Sequence, residues 1–290
     1  MTVYRTFLFA PGNVRRKVEK SFTCGADAVV LDLEDAVALS EKARARKIVG
    51  EIVSEKRETP TYVRVNAIST GFVLDDLGDV VTAHVDGIVL PKVENPSDIE
   101  FMAQCLLQIE KRKGLKNNIE IVPFIETVVG LVNLRAVLAA SRRIKRLFFG
   151  AVDFITDIGA ERTPTGHELL YARSRLVIES RVACLEPPVD AVYTDIGNVE
   201  GLNREASMAR QMGFQGKLVI HPSQVKSVND VFSPSPEEVA WAEKVVEVFE
   251  ESEAKGNAAL KVDGKFVEYP VYKKAKRVLG VHRAVVGKTP

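Results

Sequence analysis

Cysteine is scarce: Cys24, Cys105 and Cys184 are the only three in 290 residues, odd in number and widely spaced. Disulfide frameworks and zinc clusters need paired spacings that are absent here. The thiols therefore read as free and buried in a reducing cytoplasm, with no inferable His partner for a nucleophile. Charge of one sign is lacking too, since 40 Lys and Arg face 39 Asp and Glu. That balance excludes the basic surface of a nucleic-acid binder and any like-charge tail. No apolar run approaches the roughly 20 residues that span a bilayer. Met1–Ala10 lacks the basic stretch and long apolar core of a signal peptide. The expectation is a cytoplasmic protein whose partners are small molecules or copies of itself.

What the chain does have is a rhythm. Short β-rich runs occur at Thr6–Ala10, Ala28–Leu33, Thr61–Val65, Gly87–Leu90, Ile119–Ile125, Arg146–Val152, Val189–Thr194 and Lys217–Ile220. Several are almost continuously apolar, as strands covered on both faces of a parallel sheet are. Helical spacing separates them: Val14, Val18 and Phe22; Ile99, Met102, Leu106 and Ile109; Leu202, Ala206, Ala209 and Met212. This alternation suits a closed barrel or a long doubly wound sheet.

The polar residues help to decide. Nearly every run ends in groups capable of chemistry: Pro11-Gly12-Asn13, Glu34-Asp35, Arg64 and Asn66, Pro91-Lys92, Glu126, Asp153, Asp195, and His221-Pro222. In a (β/α)8 barrel all these ends converge on one mouth. An open sheet would leave most of them idle, and no G-x-G-x-x-G follows the first run. A barrel over residues 1–232 is predicted, followed by an extension over 233–290. There Ser235 can cap a helix, with Pro236 at its first position and Glu238 closing a capping box. Its apolar face runs through Val239, Ala242, Val246 and Phe249. A link over Ser252–Ala259, a strand-like LKVDGKFVEYP and a basic helix over Val271–Leu279 follow.

Glu126 and Asp153 each end a strongly apolar run, a costly place for a charge without compensation. On successive barrel strands they could share a cation, and two hard oxygen ligands with open sites suit Mg2+ or Mn2+ better than zinc. Capping of the next helix, or pairing with an Arg, equally accounts for each. Arg64 in YVRVN can grip a carboxylate in bidentate fashion, or bury a salt bridge to Glu34 or Asp35. Glu34 and Asp35, with Asp32 preceding them on the other register, can support proton transfer or orient Arg and Lys side chains. His221 and Pro222 follow the eighth run, Pro11 and Asn13 follow the first, and the basic Arg15, Arg16 and Lys17 open the first helix nearby. Such loops commonly bind phosphates, although a solvated basic helix start explains them as well. His84, His167 and His282 have no metal-ligand spacing.

Longer motifs cover nearly the whole chain: FAPGN at 9–13, GADAVVLDLEDAV at 25–37, VRVN at 63–66, GIVLPKVE at 87–94 and IET at 125–127. GHELLYARSR at 166–175, VYTDIGNVEGL at 192–202, GFQGKLVIHPSQV at 213–225, FSPSPEEVAWA at 232–242 and DGKFVEYP at 263–270 continue them. Together they resemble the citrate lyase beta-subunit family, within the wider HpcH/HpaI aldolase and citrate lyase group. The resemblance implies a (β/α)8 TIM barrel of the phosphoenolpyruvate/pyruvate superfamily, assembled as homotrimers or hexamers. It implies Mg2+-dependent, reversible carbon–carbon cleavage of a 3-hydroxyacyl-CoA, such as malyl-, citramalyl- or citryl-CoA, into an acyl-CoA and a 2-oxo acid. Carried over by position, Glu126 and Asp153 hold the metal, Arg64 binds the oxo acid, and Glu34 and Asp35 stand beside the metal. Pro11, Asn13, Arg16, His221 and Pro222 border the CoA site.

Two positions depart from the family pattern. Val152 replaces an acid commonly found just before the second metal ligand. Glu268 replaces an Asp that reaches a neighbouring subunit's active site as a proton-transfer group. The same resemblance admits a citrate lyase subunit acting on a citryl-acyl-carrier protein, a malate-synthase-like thioesterase variant, or a non-catalytic acyl-CoA-binding subunit.

Overall fold

Eight parallel strands close on themselves: β1 Thr6–Pro11, β2 Ala28–Asp32, β3 Thr61–Arg64, β4 Gly87–Leu90, β5 Glu120–Ile125, β6 Phe148–Phe149, β7 Val189–Asp190 and β8 Gly216–Val219. Pairing runs in sequence order and ends with β8 against β1, so the barrel leaves no open edge. A computed structural model of the chain describes residues 3–116 and 118–287. Met1 and Thr2, where the segment weighed as a leader begins, and the last residues of the expected extension lie outside that range. The described residues fall into two compact units, Tyr4–Asp230 and a smaller one formed by Val3 with residues 231–287.

The barrel follows from strands buried on both faces. One register fills the interior with Phe7, Ala28, Val30, Tyr62, Val89, Val122, Phe124, Phe148, Val189 and Leu218. Aromatic rings interlock there, with Phe7 4.7 Å from Phe148 and 5.3 Å from Tyr62 between centroids. Beneath them, Glu120 accepts hydrogen bonds from Arg146 Nε (2.8 Å) and the Tyr62 hydroxyl (3.1 Å). The barrel is thus a filled core whose chemistry is confined to its C-terminal mouth.

The opposite register faces helices α1 Arg15–Ser21, α2 Lys42–Ile52, α3 Val73–Val80, α4 Pro96–Lys113, α5 Val128–Val132, α6 Leu134–Ala139, α7 Ala151–Asp157, α8 Leu170–Val182, α9 Val199–Met212 and α10 Pro222–Phe232. An ionic cluster is buried in this layer. Asp190 on β7 accepts from Arg173 Nε on α8 (2.8 Å) and Lys217 Nζ on β8 (2.7 Å), and Lys217 also reaches Glu205 on α9 (2.6 Å).

Two anticipated strands are much shorter than their apolar runs. β6 stops at Phe149 because Gly150 ends the extended backbone and Ala151 begins a helix. β7 stops at Asp190, well before Thr194. The thiols are free, as expected, but none is buried: Cys24 and Cys105 are half-buried and Cys184 is exposed. Cys24 follows the end of α1 and Cys184 the end of α8, where the chain runs near the surface.

The smaller unit is a helical hairpin with a strand pair. Helix α11, Pro236–Glu253, starts at the anticipated capping box: Glu238 N–H donates to Ser235 Oγ, and Ser235 N–H to Glu238 Oε2. Val239, Ala242, Val245 and Phe249 are buried, so Val245 takes the core position expected of Val246. Strands β9 Leu260–Val262 and β10 Lys265–Val267 join through Asp263-Gly264, both at positive φ, as a two-residue hairpin requires. Helix α12, Tyr269–Val286, extends beyond the anticipated Val271–Leu279.

Candidate active site

The interior register changes from apolar to ionic at the mouth. Asp32 pairs in register with Arg64, two residues past Val30 and Tyr62 on the inward face. Arg64 Nε and Nη2 donate to the two Asp32 oxygens at 2.7 Å each. The guanidinium stacks 5.1 Å from the Phe9 ring and 5.8 Å from Phe124, which fixes its plane. Burial pulls the Arg64 pKa down, but Asp32 and Glu34 more than reverse this, so the group stays charged. The anticipated buried ion pair to Glu34 forms at 2.9 Å, and Asp32 adds the hydrogen-bonded partner. β2 ends at Asp32, and the Glu34 and Ala36 N–H groups fold back onto the Asp32 carboxylate (2.9 and 3.2 Å). Asp32 and Glu34 both reach Arg64 because residues two apart share a face, so the opposite register expected of Asp32 holds against Asp35 and not against Glu34.

The Glu34-Asp35 pair is divided. Asp35 is exposed, 4.0 Å from Arg64 Nη1 and 3.9 Å from Lys92 Nζ. Glu34 is buried, and its Oε1 accepts from Lys92 Nζ at 3.0 Å. Its Oε2 lies 2.9 Å from Arg64 Nη1 without hydrogen-bond alignment, leaving a buried oxygen with no hydrogen bond. Burial, offset by Arg64, raises the Glu34 pKa. Lys42, buried on α2, donates to the Leu33 and Glu34 carbonyls (2.8 and 2.7 Å) and holds this loop in place.

Glu126 follows β5 and is only 1% exposed. Its Oε1 accepts the Lys92 backbone N–H at 2.7 Å. Asp153 does not end a strand. It lies half-buried in the first turn of α7, because the chain turns helical at Ala151. Asp153 nonetheless acts on Glu126: burial first, then Glu34 and Asp153, push the Glu126 carboxyl up to about 8 against the pull of Arg64.

A divalent cation fits this pair. A charge so buried, with one backbone hydrogen bond and two acids nearby, calls for a positive counterpart. Gly150 keeps the space open, since a Cβ there would stand 2.6 Å from Glu126 Oε2. The donors are carboxylate oxygens, the hard ligands of Mg2+ and Mn2+. Among the described residues no group of three or more His, Cys, Asp and Glu could hold a metal. Val152 is exposed beside them.

Pro11, His221 and Pro222 come together as anticipated. They line a pocket of about 240 Å³ with Leu8, Phe9, Ala10 and Ile220. Asn13 and Arg16 do not line it: Asn13 is half-buried, and Arg16 is exposed on α1. The helix turns Lys17 and Lys20, one turn apart, toward the pocket instead. His221 Nδ1 bonds the Ser223 hydroxyl at 2.8 Å. Glu268 is exposed at the N-cap of α12, where its side chain makes no capping bond.

Asp32, Lys42 and Lys92 also join this ionic network, though none was put forward as a candidate site residue. The first was visible as a charge in an apolar run. Lys92 was visible at a strand end, but its contacts run from the end of β4 to the residues after β5 and, across β3, after β2.

The HpcH/HpaI aldolase/citrate lyase family profile matches residues 5–222. The citrate lyase subunit beta of Haemophilus influenzae is 34% identical over 96% of this chain and 97% of its own. The human mitochondrial citramalyl-CoA lyase is 33% identical over 95% of this chain and 84% of its own. Among solved structures, the CitE protein of Mycobacterium tuberculosis, in complex with magnesium, acetoacetate and coenzyme A, superposes with a TM-score of 0.79. It is 28% identical, with 97% of this chain and 98% of that one covered. The two sequence relatives are named lyases, as expected here, and among the described residues no helix is long and apolar enough to cross a membrane. On the sequence match and the shared barrel, this chain belongs to the HpcH/HpaI aldolase/citrate lyase family.

Proposed function

We propose that the chain is a metal-dependent carbon–carbon lyase that reversibly cleaves a 3-hydroxyacyl-CoA into an acyl-CoA and a 2-oxo acid. The observation that carries this reading is the buried Glu126 carboxylate, opposite Asp153 and facing the space beside Gly150. Glu126 and Asp153 would hold Mg2+ or Mn2+, which when bound supplies Lewis-acid stabilisation of negative charge on the oxo-acid oxygens.

The other residues divide the remaining work. Arg64, held flat by Asp32 and two rings, keeps N–H donors on Nη1 and Nη2 for the oxo-acid carboxylate. Glu34 takes the substrate hydroxyl proton on Oε2, the oxygen with no hydrogen bond. That O–H pair becomes the new carbonyl, the C–C bond breaks, and its electrons leave as a thioester enolate. A proton then returns to the enolate carbon. Glu268 of another copy is the proposed donor, which requires an assembly such as a homotrimer or hexamer. The pocket beside Lys17 and Lys20 suits the anionic end of coenzyme A.

Relatives named citrate lyase subunit beta are as similar as those named citramalyl-CoA lyase, which favours one second reading: action on a citryl group carried by a protein. A panel of malyl-, citramalyl-, β-methylmalyl- and citryl-CoA separates them. The proposal expects Mg2+-dependent release of a 2-oxo acid from at least one. No cleavage of any, together with co-purification of an acyl-carrier protein, would favour the second reading.

A further inference from the structure

Lys92 makes two contacts with different parts of itself. Its backbone N–H donates to Glu126 Oε1 at 2.7 Å, while its ammonium donates to Glu34 Oε1 at 3.0 Å. It stands just past β4, between β3, which carries Arg64, and β5, which leads to Glu126. Its φ of 52° lies in the left-handed region, one of three such non-glycine residues among those described. That conformation is costly for any side chain and persists only where its surroundings enforce it. Here it turns the amide toward a buried carboxylate that has no other hydrogen bond among the described residues.

We infer that Lys92 is a positioning residue with two separable roles: its left-handed backbone orients Glu126, and its ammonium clamps Glu34. The inference rests on the proposed lyase reading and deepens it. A carboxylate with free torsions would swing between rotamers. An amide donor fixes one oxygen and leaves Oε2 directed elsewhere. The ammonium does the same for Glu34, occupying Oε1 so that Oε2, ion-paired with Arg64 but without a hydrogen bond, is the oxygen that accepts a proton. One residue thereby sets the spacing between the two acids. Glycine would take this conformation more readily, but it would supply only the amide.

Lys92→Gly and Lys92→Val separate the roles. Both remove the ammonium, but glycine accepts a φ of 52° and a β-branched side chain does not. Mn2+ alone, followed by electron paramagnetic resonance, should bind Lys92→Gly within about twofold of wild type and Lys92→Val at least about fivefold more weakly. On the panel thioester that wild type cleaves fastest, both should lose about tenfold or more in kcat with KM nearly unchanged. Lys92→Arg, which keeps a cation, should recover part of that loss. If Lys92→Val does not fold, Lys92→Ala against Lys92→Gly makes the same comparison in milder form. Equal Mn2+ affinity in the glycine and branched variants would overturn the backbone role. Wild-type kcat in Lys92→Gly would overturn the ammonium role. Wild type that binds no Mn2+ would contradict the metal reading itself, a separate failure.

Discussion

Arg64 and Asp32 form a two-point ion pair at the floor of the mouth, with both nitrogen-to-oxygen distances at 2.7 Å. The pair spans adjacent strands at matched register, so the barrel's own hydrogen bonding aligns the charges. With Phe9 and Phe124 against the guanidinium, Arg64 has little rotational freedom left. That rigidity suits recognition of a planar carboxylate.

Arg64→Lys should therefore lower kcat/KM by about a hundredfold or more, since a point charge cannot reproduce the planar fork. Asp32→Ala should destabilise the barrel by about 3–5 kcal/mol, because it strands a buried guanidinium. Steady-state kinetics and urea unfolding check the two.

Gly150→Ala tests the metal space without removing a ligand. Its Cβ would fall 2.4 Å from Glu126 Cβ and 2.6 Å from Oε2, so the carboxylate must move. Mn2+ affinity should fall about tenfold or more, with a stability loss of about 1–3 kcal/mol. Isothermal titration alongside thermal melting distinguishes the displaced ligand from a general loss of structure.

The cluster behind β7 and β8 predicts acid sensitivity. Burial alone would raise the Asp190 carboxyl, but Lys217 and Arg173 outweigh it and hold it at about 2, below its ordinary 3.8. A depressed folded-state value stabilises fully above the ordinary value and fades as pH falls toward about 2. Asp190→Asn should be less stable near neutrality and should show a flatter stability profile across that window. Urea unfolding between pH 5 and pH 2, roughly the span over which carboxylates titrate, measures both.

Most of the fold was legible because a parallel barrel repeats one local signal, an apolar run with a polar end. The runs around Phe148 and Val189 misled because apolar sequence alone does not distinguish strand from the helix that follows it. The same ambiguity put Asp153 on a strand and not on α7. At the site, Glu126 and Arg64 were visible as charges in apolar surroundings. The division of Glu34 from Asp35 was not, since it depends on the loop that Lys42 pins from another element. Arg16 and Lys17 look alike in sequence, and only the rotation of α1 turns Lys17 and Lys20 to the pocket.

Those lysines carry a prediction of their own. Lys17→Ala with Lys20→Ala should raise KM for a CoA thioester about tenfold while leaving kcat nearly unchanged, as loss of uniform binding does. The effect should shrink as salt is raised, because exposed charges are screened. Initial rates at low and high ionic strength test it.

The central claim is that Glu126 and Asp153 hold the ion on which cleavage depends. Glu126→Gln and Asp153→Asn keep the size of each side chain and remove its charge. Mn2+ titration and Mg2+-dependent release of 2-oxo acid, measured on the same preparations, test that claim most directly. Each variant should lose at least about a hundredfold in both metal affinity and turnover while melting near the wild-type temperature. Wild-type turnover in Mg2+ by both variants would contradict the account.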